Sequence, residues 1–155
     1  MGIGSRKITV STVGFPDRLR RAAEGDPRFQ LAISLHTPFD EQRDELVPAM
    51  RGTPIADVIA AADHWFDVTG REVTYEYVLL GGTNDDASDA HKLAKALRRL
   101  KHRIRINLLP WNPFAGPGFE RPEDGKVRAF QNILKSKGFT VTIRITRGLD
   151  IDAAC

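Results

Sequence analysis

The sequence has a single cysteine, Cys155, in 155 residues. One thiol excludes an internal disulfide framework and fits a reducing compartment. No apolar run approaches the ~20 residues that a membrane helix needs. The N-terminal stretch Met1-Gly2-Ile3-Gly4-Ser5-Arg6-Lys7 lacks the apolar core of a signal peptide. A cytoplasmic protein with no membrane partner is therefore expected. Other absences narrow the chemistry. No Gly-x-Ser-x-Gly elbow surrounds Ser11 or Ser34, which leaves a hydrolase triad unsupported. Gly81-Gly82 lacks the spacing of a phosphate loop or a dinucleotide fingerprint. No Cys, His and carboxylate set stands at metal-ligand spacing, and His64 reads as a surface or packing residue. There is no repeat, linker or low-complexity segment, so residues 1–155 read as a single domain.

What is present is an ordinary globular balance, 41% apolar and 28% charged, with a net charge of +3. A basic balance is compatible with a nucleic-acid partner without showing one. The run Arg98-Arg99-Leu100-Lys101-His102-Arg103 reads first as a solvated helix end, where cations are favoured.

Hydrophobic period then gives the order of elements. Residues 7–13 are β-branched almost throughout and suit a strand. A basic helix over 17–24, closed by Gly25, leads to a second strand over 29–35. Asp40 is placed to cap a helix reaching about residue 50, and Thr53-Pro54 to start the next, closed by Gly70. A third strand covers 72–80, with Val73, Tyr75, Tyr77 and Leu79 on one face. A helix over 86–100 precedes a fourth strand from Ile104, which Pro110 should halt. The long 110–122 loop hints at function, because structureless connections of that length are uncommon. A helix over 123–137 and a strand over 139–145 close the pattern. Strands alternating with helices predict an α/β fold with parallel strands and right-handed crossovers. About five strands are too few to close the usual barrel of ~8, so an open or partial barrel is expected.

Polar residues gather where the strands end: Ser11 and Thr12, then Ser34 and His36, then Trp111 and Asn112. Short polar residues cap strand ends for structural reasons alone. Together they also describe a ligand rim at the C-terminal edge of a parallel sheet, where such folds bind ligands. Composition and spacing leave open whether that rim serves an enzyme, a binding module or a plain scaffold.

Four stretches carry a resemblance: Ile-Thr-Val-Ser-Thr-Val-Gly, Leu-Ala-Ile-Ser-Leu-His, Asn-Leu-Leu-Pro-Trp-Asn-Pro-Phe and Gly-Leu-Asp-Ile-Asp-Ala-Ala-Cys. With these motifs in order from Gly2 to Cys155, the chain resembles the dual-specificity radical S-adenosylmethionine RNA methyltransferases. Those enzymes act on C2 of an adenine in 23S rRNA and in certain tRNAs. A related family methylates C8 of the same ribosomal adenine. It tends to carry Arg-Tyr-Asn-Pro where this chain has Pro110-Trp111-Asn112-Pro113, and it lacks a Thr146-Arg147-Gly148 segment.

The resemblance implies a partial (β/α) barrel of the radical type and a residue-by-residue assignment. Ser11, then Ser34, Leu35 and His36, then Asn112 match contacts to S-adenosylmethionine. Cys155 matches the cysteine that is itself methylated and hands its carbon on. The implied cofactors are S-adenosylmethionine and a four-iron four-sulfur cluster, and the implied partners are 23S rRNA and tRNA. The family's cluster motif, Cys-x-x-x-Cys-x-x-Cys, is not in this sequence. The chain is therefore expected to be the C-terminal portion of the radical domain, inactive by itself. The alternatives are a non-catalytic RNA- or nucleoside-binding module that has lost the cluster half, or the related adenine-C8 rRNA methyltransferase.

Overall fold

The computed structural model describes residues 8–112 and 118–145. Among them are five strands and five α-helices. In chain order these are β1 (Thr9–Thr12), α1 (Pro16–Glu24), β2 (Gln30–Ser34), α2 (Asp40–Leu46), α3 (Ile55–Thr69), β3 (Val73–Leu79), α4 (Ala87–Leu97), β4 (Ile104–Pro110), α5 (Asp124–Ser136) and β5 (Val141–Ile143). They build one sheet in the order β1-β2-β3-β4-β5, with every neighbouring pair parallel. Each strand lies beside the next in sequence, so right-handed crossovers stack successive helices on one face. This is the partial (β/α) barrel that the alternation of elements predicts.

Register sorts the side chains between the two faces. Ile33, Tyr75, Ile106 and Val141 lie level across four strands. All four are buried against the helices, with Val58 and Trp65 of α3, Leu93 and Leu97 of α4, and Phe130 and Leu134 of α5. One residue further along, Ser34, Glu76, Asn107 and Thr142 form a row on the other face. A one-residue slip would exchange these rows, and burial of the first fixes the register. Each large apolar side chain in this layer contributes about 1.5–3 kcal/mol. A second, smaller cluster of Val78, Leu80, Leu109 and Trp111 covers the C-terminal end of the helix-free face.

Four local expectations change. Asp40 does not cap α2, of which it is the first residue; its Oδ1 accepts the Ile55 N–H of α3 at 2.7 Å. Thr53 then has no capping role, because a carboxylate from the packed neighbour is a stronger acceptor than a hydroxyl. Residues 98–100 tighten into a 3-10 turn. Pro110 belongs to β4, and the Trp111 N–H still donates to the Leu79 carbonyl at 2.9 Å. Alternate residues of a parallel strand bond to opposite neighbours. The donor that Pro110 lacks therefore faces the β5 side, beyond Ile143, where no ladder needs it.

Candidate cofactor site

The C-terminal ends of β1 to β4 form one rim, and the sequence-predicted residues lie along it. Ser11 is the third residue of β1, and Ser34 closes β2. Leu35 and His36 follow directly, and Asn112 stands two residues past β4. Ser11 and Ser34 share the helix-free face, whereas the Leu35 side chain is packed in the core. Its backbone N–H donates to the Glu76 carbonyl at 2.9 Å. Cys155, with Pro113 and Phe114, lies outside the described residues.

His36 is 3% exposed and holds a left-handed φ of 67°. Its Nδ1 accepts the Val78 N–H at 3.0 Å. That bond assigns the neutral ring with its hydrogen on Nε2. A histidine so held is a hydrogen-bond donor and a wall of the site. It is a poor general base, because its acceptor nitrogen is already committed.

Three residues that sequence reading does not single out hold this rim together. Arg43, 1% exposed, reaches from α2 beneath the strand ends. Its guanidinium donates to the carbonyls of Val13 at 2.7 Å, Ser34 at 2.9 Å and Leu35 at 3.2 Å. Burial is the main reason its pKa falls below the usual arginine value, opposed by the charge of Asp40. Asn84, fully buried, donates to the His36 and Val78 carbonyls, both at 2.8 Å, and accepts the Leu80 N–H at 2.7 Å. Gly81 bonds through its N–H to the Glu120 carbonyl at 2.8 Å, fastening the far end of the long loop to the end of β3. A Cβ there would stand 2.8 Å from the Arg121 carbonyl oxygen, so the approach requires glycine.

The fourth overlooked residue is Glu76, in the middle of the central strand and 7% exposed. It accepts the Ser11 hydroxyl hydrogen at 3.2 Å, across the width of β2. On the same row the Thr142 hydroxyl donates to Asn107 Oδ1 at 3.1 Å. Trp111 roofs the outer end, edge-on to Phe119 with ring centres 5.3 Å apart. The result is a lining of hydroxyls, amides, one imidazole and one carboxylate on an apolar floor.

No family model matches the chain. Curated relatives do. A probable dual-specificity RNA methyltransferase RlmN of Nostoc punctiforme is 41% identical over 155 residues, covering all of this chain and 42% of that protein. The corresponding protein of Synechococcus elongatus is 44% identical over 161 residues, covering all of this chain and 44% of its own length. End to end, the chain is similar to part of these RlmN proteins. A crystal structure of a radical SAM methyltransferase from Sphaerobacter thermophilus superimposes with a TM-score of 0.89. It is 43% identical, over all of this chain and 45% of that one. A domain of a pyruvate-formate lyase-activating enzyme from Bacteroides vulgatus shares the fold, with a TM-score of 0.68 at 18% identity over 88% of this chain and 80% of its own. The chain thus spans less than half the length of the RlmN relatives it matches.

Ser11, Ser34, His36 and Asn112 present hydroxyl, imidazole and amide groups along this rim. A cluster does not fit the described residues, which contain no group of three or more His, Cys, Asp or Glu side chains placed to hold a metal ion. Nor, among them, is any helix long and apolar enough to cross a membrane.

Proposed function

We propose that this chain is the C-terminal portion of the radical core of an RNA methyltransferase that acts on C2 of adenine in 23S rRNA and tRNA. The observation that carries this reading is homology to RlmN along the whole chain, with Ser11, Ser34, His36 and Asn112 drawn onto one rim. Ser11, Ser34, His36 and Asn112, with the Leu35 backbone, bind and orient S-adenosylmethionine. The site is assigned to the cytoplasm, where its RNA substrates are.

Cys155 is the methyl carrier in this reading. S-adenosylmethionine, when bound, would supply the methyl group by displacement onto this thiolate. A thiolate is the right nucleophile for this displacement. The wall made by His36, Trp111 and Asn112 orients the cofactor, and the division between cofactor chemistry and protein orientation follows the general rule.

The test uses a complete enzyme carrying this segment. Cys155→Ala should abolish RNA methylation while leaving S-adenosylmethionine cleavage, and Asn112→Ala should weaken both by loss of cofactor binding. Product mass spectrometry distinguishes them. Normal RNA methylation by the Cys155 variant would remove its assigned role.

A further inference from the structure

The row Ser34, Glu76, Asn107 and Thr142 crosses four strands on the helix-free face. Three of its members are neutral; Glu76 is the exception. No cation stands within ion-pair distance of its carboxylate among the described residues, although Arg105 on the same face pairs with Glu72 at 3.4 Å. Burying an unpaired carboxylate costs several kcal/mol. One hydroxyl hydrogen bond, from Ser11 at 3.2 Å, offsets part of that. The same bond has a second effect. A serine that donates its hydrogen to a carboxylate has only lone pairs left to offer, so the ligand group that meets Ser11 must be a donor. Both features select for one kind of ligand: positively charged, with hydroxyl or ammonium donors, and without a phosphate at this position.

We propose that Glu76 is a positioning and specificity residue of this rim. It fixes Ser11 as an acceptor and supplies the negative charge that favours a cationic nucleoside over a nucleotide. This rests on the cofactor site assigned above. The two ligands that expose it are S-adenosylmethionine, which carries a sulfonium and an ammonium, and AMP, which has the same adenosine but a 5′-phosphate. Opposite charge draws the first to Glu76 and like charge repels the second.

The experiment is isothermal titration of the 155-residue protein with each ligand, for wild type, Glu76→Gln and Glu76→Asp. The wild type should prefer S-adenosylmethionine. Glu76→Gln, nearly isosteric and uncharged, should cut that preference about tenfold or more, weakening S-adenosylmethionine and strengthening AMP. Glu76→Asp keeps the charge and should retain most of the preference. A general loosening of the fold would weaken both ligands together and leave their ratio alone, which overturns the proposal. So does an Asp variant that loses the preference as fully as Gln. A wild type with no preference for S-adenosylmethionine overturns the cofactor-site reading itself, and this inference with it; retention of the preference in Glu76→Gln overturns only the role of Glu76.

Discussion

Arg43→Met replaces the buried guanidinium by an apolar chain of similar reach. It removes three charge-assisted hydrogen bonds, to the carbonyls of Val13, Ser34 and Leu35. Bonds to a charged group contribute about 1.5–3 kcal/mol each. They do not add fully, because all three share one desolvated cation, and burial already pulls its pKa down. Removing one side of a buried charged network typically costs about 3–5 kcal/mol, and that is the expected loss for methionine. Arg43→Lys keeps one charge but cannot reach three carbonyls in fixed directions, and should lose less, about 2–3 kcal/mol. Arg43→Ala adds a cavity and should lose most. Urea unfolding followed by circular dichroism measures the order. Domains of this size have about 5–15 kcal/mol in hand, so all three variants should still fold in buffer. A methionine variant within about 0.5 kcal/mol of wild type would refute the claim that Arg43 ties the ends of β1 and β2 together.

Further outcomes follow from other parts of the rim. Asn84→Ala leaves the Leu80 N–H without its acceptor and the His36 carbonyl without its donor, and should lower stability by about 2–4 kcal/mol in the same unfolding assay. Gly81→Ala forces a Cβ against the Arg121 carbonyl oxygen. It should cost about 1–3 kcal/mol and open the loop before α5 to limited proteolysis faster than in the wild type. Asp89, in the capping box of α4, has its pKa raised, chiefly by burial and against the backbone bond at Asp86. Folded Asp89 therefore holds its proton more tightly than the unfolded chain does. Its contribution is greatest while protonated and falls as pH rises through the window just above the ordinary aspartate value. Asp89→Asn should flatten the stability profile just above the ordinary aspartate range, measured by urea midpoints; an unchanged slope would assign that slope elsewhere.

Much of this fold was legible in the sequence because apolar period and breaker residues mark every element. The helix-facing set of β3, Val73, Tyr75, Tyr77 and Leu79, falls in the core as read. The rim was legible too, since strand ends can be counted. Residues whose meaning depends on another element were not. Arg43 sits among Asp40, Glu41, Gln42, Asp44 and Glu45, and a surface reading of that helix is natural. The signal was the missing apolar residue on the face between Phe39 and Val47, where a packed helix should carry one. Asp40 caps a helix that begins fifteen residues later, and no local pattern announces such a partner. Glu76 had a plainer mark: one acid in the middle of an otherwise apolar, aromatic strand.

The unbroken strand order has a consequence for how the chain is made. Thr9 pairs with Gln30, Leu31 with Val73, Val73 with Ile104 and Ile106 with Val141. Among the described residues, no strand waits for a partner from two units ahead, and none has to slip between two already joined. During synthesis each new strand and its helix can dock on the growing edge as they leave the ribosome, and the partly made sheet is always a shorter version of the finished one. The search over pairings stays local even though every pairing is parallel, a geometry that otherwise folds slowly.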